Sequence, residues 1–191
     1  MAEYKGLIKS HSRDRVAGMV YVEKGVNLCM LPGGLVCMGC CGFDFSPKLS
    51  PEMKEEFVKA LLQSTEEFAQ AGSKQEFRTR YASYDLHDCG MCRQLILDTD
   101  ATVDELMDRK TLPIYCPLHP AQNEGRDLRE DECDTRYMCK TQQKFLQEWD
   151  ESTRERFLQF VAERDLDWFS YSVQIYTGSL LQEFEGAGKD E

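Results

Sequence analysis

Residues 33–42, Gly-Gly-Leu-Val-Cys-Met-Gly-Cys-Cys-Gly, constrain this chain more than any other stretch. Cys37, Cys40 and Cys41 are fenced there by Gly33, Gly34, Gly39 and Gly42. Glycine accepts left-handed and tightly turned backbone, so such a loop can bend sulfur atoms around one point. It also lets backbone N–H groups come close to a thiolate, which stabilises metal–sulfur sites from outside the ligand shell. Cys89-Gly-Met-Cys92 follows, and then Cys116, Cys133 and Cys139. These distant segments are expected to meet at a metal.

What the cysteines mean depends on the compartment. The opening residues hold no apolar run long enough for a secretory signal, and no stretch approaches a membrane span. The expected location is therefore the cytoplasm, where thiols stay reduced. In a secreted chain, nine cysteines would suggest disulfides with one thiol left over. In a cytosolic chain, Cys-x-x-Cys spacing points first to metal ligation and second to redox chemistry. The net charge of −11 argues against nucleic acid and against anionic membranes, both of which select a basic face. The partners expected are a metal ion and a protein.

The remaining sequence reads as one mainly helical domain over residues 1–191, with irregular Cys-rich metal-binding loops and a small β-hairpin near the N-terminus. In that hairpin, Val20-Tyr21-Val22 would turn at Glu23-Lys24-Gly25, with a helix capped by Asp14 as the alternative. Leu31-Pro32-Gly33-Gly34 is a breaker. Residues 50–71 give the clearest helix, with Ser50 as N-cap, Pro51 in the first turn and Gly72 at the end. Met53, Phe57, Val58, Leu61, Leu62 and Phe68 form its apolar face. Ser73–Glu76 and Thr102–Glu105 are capping boxes that open two shorter helices, the first carrying Phe77 and Tyr81 and the second ending near Lys110. Pro113, Pro117 and Pro120 hold residues 111–125 extended or turned. Helices are expected from Thr135 to Trp149, from Asp150 or Ser152 to Arg164, and from Trp168 to Phe184. The alternation of Phe169, Tyr171, Val173 and Ile175 also admits a strand in the last of these. The acidic tail from Glu185 to Glu191 is expected to fray.

Thiolate suits Zn²⁺ and iron–sulfur clusters, and two cysteines separated by two residues can grip one ion across a turn. Cys37/Cys40 and Cys89/Cys92 have that spacing and together would supply four sulfurs. Cys41, Cys116, Cys133 and Cys139 then serve a second site or a larger cluster. Cys29, between Leu28 and Met30, reads as a small buried apolar residue. His119 and His87 read as hydrogen-bonding neighbours of the cysteines, and His11 carries no signal.

Gly39-Cys40-Cys41-Gly42, Cys116-Pro117-Leu118 and the spaced pair Cys133 and Cys139 resemble the cysteine-cluster family of zinc- or iron-chelating proteins. The resemblance covers residues 37–41 and 116–139 and implies that Cys37, Cys40, Cys41, Cys116, Cys133 and Cys139 chelate the metal. This chain lacks one early Cys-x-x step of that pattern and carries an additional pair, Cys89 and Cys92.

Three functions follow. The first is a structural or interaction module whose Zn²⁺ sites hold the fold together. The second is an electron-transfer or redox-accessory protein carrying iron or a 4Fe-4S cluster. The third is a thiol oxidoreductase using Cys89 and Cys92, which needs a helix start beside the nucleophile. No phosphate loop, Gly-x-Ser-x-Gly or His-Glu-x-x-His is present, and the sequence singles out no catalytic residue.

Overall fold

The computed structural model describes residues 26–39, 49–80, 86–130 and 133–187. These residues form seven α-helices and one two-stranded antiparallel sheet, a mainly α fold. The expected hairpin at Val20–Gly25 and the Asp14-capped alternative lie outside the described residues, as do Tyr81 and His11.

Helix α1 spans Pro51–Gln70, and the Ser50 hydroxyl accepts from the Met53 amide at 3.2 Å. It ends on Ala71 in extended backbone, so Gly72 follows the cap instead of making it. Helix α2 spans Lys74–Arg80. Ser73 caps it by accepting from the Glu76 amide, but the Glu76 carboxylate reaches past Ser73 to the Gly72 amide. Helix α3 is Val103–Asp108, and its capping box at Thr102 and Glu105 is complete. Between α2 and α3 lies strand β1, Ile96–Leu97, which pairs with β2, Ile114–Tyr115, in the register Ile96 opposite Tyr115. The proline-held stretch thus becomes a strand edge followed by a 3₁₀ turn at Pro120–Gln122.

The helix expected from Thr135 begins only at Lys140. Its N-cap is Cys139, whose sulfur accepts from the Gln142 amide at 3.5 Å. Tyr137 and Met138 therefore precede helix α4, Lys140–Gln143, and Tyr137 is exposed. The chain continues through a wider π turn, Lys144–Glu148, closed by the Trp149 amide on the Lys144 carbonyl. Helix α5 is Glu151–Glu163, with Asp150 as its cap.

The last expected helix is two. Gly178 takes a left-handed φ of 78°, which separates α6, Trp168–Thr177, from α7, Ser179–Ala187. Glu185 to Ala187 are helical, whereas residues 188–191 lie outside the described set.

Helix α6 explains its own ambiguous pattern. Trp168, Phe169 and Val173 pack into a core with Phe57, Val58 and Leu61 of α1 and with Leu97 and Ile114 of the sheet. Tyr171 and Ile175 pack into a second core with Leu28, Phe145, Phe157, Leu158 and Leu180. A helix shared by two cores is apolar on both sides, which blurs its period toward alternation.

Gly39 lies where the chain meets α6. A Cβ built there would stand 2.4 Å from Cβ of Tyr176, far inside contact distance. Gly39→Ala is expected to destabilise the fold by about 1–3 kcal/mol through overpacking, read by urea unfolding. Gly33→Ala probes a different requirement, since its φ of 102° is strained for a side chain but the space beside it is open.

Candidate metal centre

The sheet register builds the first sulfur group. Because Ile96 lies opposite Tyr115, the chain entering β1 and the chain leaving β2 are at the same end of the sheet. Cys92 sits just before β1 and Cys116 immediately after β2. Upstream of Cys92, the His87 amide donates to the Met91 carbonyl at 2.9 Å and the Gly90 amide to the His87 carbonyl at 2.7 Å. Gly90, at a φ of 82°, makes this tight turn between Cys89 and Cys92.

Backbone amides are directed at these sulfurs. The Gln94 amide donates to Cys92 Sγ at 3.4 Å. The Met91 amide is directed at Cys89, and the Leu118 and His119 amides at Cys116. Amide-to-sulfur hydrogen bonds two and three residues past a cysteine stabilise the charged form of the sulfur. In the present surroundings that effect is outweighed. Burial pushes the Cys92 thiol up to about 12, with the nearby charges of Cys116 and Cys133 adding to it. Burial likewise pushes Cys116 up to about 11, with Cys133 adding and Arg129 opposing. Cys89 is raised chiefly by burial. Cys92, Cys116 and Cys133 are therefore close enough for each thiolate to disfavour the next.

Cys133 comes to this group from the far side of a loop. Its amide donates to the Arg129 carbonyl at 3.1 Å, and the Arg129 guanidinium grips Asp127 through two hydrogen bonds of 2.9 and 2.7 Å. His119 caps the 3₁₀ turn, its Nδ1 accepting from the Ala121 amide at 3.1 Å. His87 is buried, with Nε2 2.8 Å from the Ser64 hydroxyl. These ring contacts go to Ser64 and to the Ala121 amide.

The second sulfur group was not visible as a group in the sequence. Met30 bridges Val36 antiparallel across the Leu31–Gly34 turn. That register sets Cys29 directly opposite Cys37, and the Cys37 amide donates to the Cys29 carbonyl at 3.0 Å. Cys29 is half-buried where the sequence suggested full burial, while Cys37 and Cys139 are buried. Gln142, three residues after Cys139, accepts from the Leu28 amide at 2.8 Å, and the Tyr171 hydroxyl donates to the Leu28 carbonyl at 2.8 Å. Burial raises the Tyr171 phenol well above its ordinary value, and the charges of Cys37, Cys29 and Cys139 all push the same way. Tyr171 and Arg129 are the residues around the sulfurs that spacing alone did not indicate.

Cys40 and Cys41 lie outside the described residues. The other predicted ligands divide into Cys89, Cys92, Cys116 and Cys133 on one side and Cys37 and Cys139 on the other. Cys37 lies opposite Cys29 in the hairpin. Among the described residues, no three His, Cys, Asp or Glu side chains already close on a point that could hold a metal ion. The donor chemistry nevertheless suits a soft cation, since the donors are cysteine sulfurs and several carry amide hydrogen bonds. No helix among the described residues is long and apolar enough to cross a membrane. Comparison with family models, with curated proteins and with solved structures finds no match in any of the three.

Proposed function

We propose that this chain is a cytoplasmic metal-binding protein in which Cys89, Cys92, Cys116 and Cys133 take one Zn²⁺ as a closed, structural thiolate site. The observation that carries this reading is the sheet register, which sets Cys92 and Cys116 at one end of the β1–β2 pair with amides directed at both sulfurs. Zn²⁺ accepts four thiolates in tetrahedral geometry, and a site so filled leaves no open position for substrate. The ion supplies the positive charge that Cys92, Cys116 and Cys133 lack for one another. Each thiol gives its proton to solvent as it binds.

Two roles compete for the same sulfurs. A thiol oxidoreductase needs a nucleophile of depressed pKa at a helix start. Cys89 and Cys92 instead precede a strand, and burial moves both thiols upward. Metal ligation therefore suits this pair better. Iron or a 4Fe-4S cluster draws on the same ligands and the same amide donors.

The test is elemental analysis with a visible spectrum on protein purified without oxygen. A colourless protein that holds zinc, and gives the intense visible bands of a tetrahedral tetrathiolate when cobalt(II) replaces it, is the expected result. A brown protein with iron and sulfide would transfer the site to the redox reading. A full chain that binds no metal would overturn both.

A further inference from the structure

We propose that Cys29, Cys37 and Cys139 form a second thiolate site for a soft divalent cation of the zinc class, separate from the first. The inference rests on the metal reading above only for the chemical class of its occupant; the grouping comes from a different part of the fold.

The hairpin supplies two of the sulfurs. Leu31-Pro32-Gly33-Gly34 turns with Gly33 at a φ of 102°, and the Gly34 amide donates to the Leu31 carbonyl at 3.0 Å. The Leu31 amide to the Leu35 carbonyl, at 2.9 Å, and the Cys37 amide to the Cys29 carbonyl, at 3.0 Å, flank the Met30–Val36 pair. Side chains directly opposite in such a ladder emerge on one face, with Cβ atoms about 4.5–5.5 Å apart. Cys29 and Cys37 are such a pair.

The third sulfur is tied to the same hairpin. Cys139 starts α4, and Gln142 in that first turn both donates its amide to Cys139 Sγ and accepts from the Leu28 amide. Cys37 and Cys139 share the second core. Tyr171 holds the Leu28 carbonyl and feels the charge of all three sulfurs. None of these contacts involves the β1–β2 sheet that sets the first group.

A purely packing role accounts for Cys37 and Cys139, which are buried, but leaves unexplained a half-buried thiol held opposite one of them. A cation drawing the trio together accounts for all three. It would displace the weak contact from Cys37 Sγ to the Ser172 carbonyl, at 3.8 Å. Three sulfurs fill three of the four positions of a tetrahedral ion.

The test combines zinc stoichiometry with thiol alkylation on the full chain. About two zinc ions per chain are expected for the native sequence and about one for either C29S or C92S. Zinc should shield Cys29, Cys37 and Cys139 together from N-ethylmaleimide, in the native chain and also in C92S, and a chelator should expose Cys29 again. C29S that keeps the native stoichiometry would overturn the site. So would Cys29 alkylation that ignores zinc, or a Cys29–Cys37 disulfide in anaerobically purified protein. A native chain with one zinc, lost in C92S, would refute this second site and leave the first standing. A chain with none would remove both.

Discussion

Cys92→Ser and loss of zinc from the proposed first site are expected to lower the stability of this chain by about the same amount. For a site held a thousandfold above its dissociation constant, that amount is about 4 kcal/mol. The effect is large because of where Cys92 sits. It is joined to β1 through the Gln94 amide on its sulfur, and its neighbour Leu95 belongs to the first core with Phe57 and Trp168. Loosening Cys92 therefore loosens the entry to the only sheet among the described residues. Cys92→Ser removes a sulfur but keeps a small polar group of similar shape, so packing loss alone stays near 1 kcal/mol. Urea unfolding with and without free zinc separates the two contributions. With zinc the native chain and C92S should differ widely, and with chelator they should nearly coincide. Curves that differ equally in both conditions would mean that Cys92 is a packing residue and not a ligand.

Much of the helical scaffold was legible in the sequence because its signals are local. Ser50 with Pro51, Thr102 with Glu105, and Asp150 each mark a helix start through a side chain that satisfies an amide within the next turn. The misplaced start at Thr135 has a local cause as well. A cysteine sulfur is a weak acceptor seldom used as a cap, so nothing marked Cys139 as the boundary. Gly178 was legible only as a glycine inside an apolar run, and its left-handed φ decided between one helix and two. The sulfur grouping was least accessible. Cys-x-x-Cys spacing paired Cys37 with Cys40 and linked them to Cys89 and Cys92. In the fold, the long-range β1–β2 register brings Cys92 and Cys116 to one end of the sheet, with Cys133 near enough to influence both electrostatically, which spacing does not reveal. The partnership of Cys29 with Cys37 had a signal, because both stand four residues from Gly33 at the heart of the Pro-Gly turn.

Asp167→Ala is expected to cost about 3 kcal/mol at neutral pH, although Asp167 touches neither sulfur group. Asp167 Oδ1 accepts from the Ser170 amide at 2.8 Å and so caps α6. Its Oδ2 accepts from Lys54 Nζ at 2.6 Å, and Lys54 also donates to the Met107 carbonyl at 2.6 Å. One ammonium thus ties α1 to the end of α3 and to the start of α6. The Lys54 and Asp167 side chains are only 14% and 27% exposed, so truncation leaves a poorly solvated cation beside the Trp168 ring, 5.7 Å from its centroid. Burial alone would raise the Asp167 carboxyl, but Lys54 and the Ser170 amide outweigh it and hold the carboxyl below its usual 3.8. A carboxyl depressed in the folded state adds stability above its unfolded pKa and loses it as pH falls through the folded one. The gap between native chain and variant should therefore be full near pH 7 and shrink in acid below about pH 4. Asp167→Asn separates the two roles, because the amide oxygen can still cap α6 but no longer pairs with a cation. It should cost less than the alanine variant, and its gap to the native chain should also shrink in acid, because the native carboxyl is the group that titrates. Asp165→Ala is the comparison, since Asp165 pairs with Lys110 in the open and its loss should stay under about 1 kcal/mol. Equal effects at Asp165 and Asp167, or a gap that widens in acid, would show that the Lys54 clamp does not hold α1 and α3 to the start of α6.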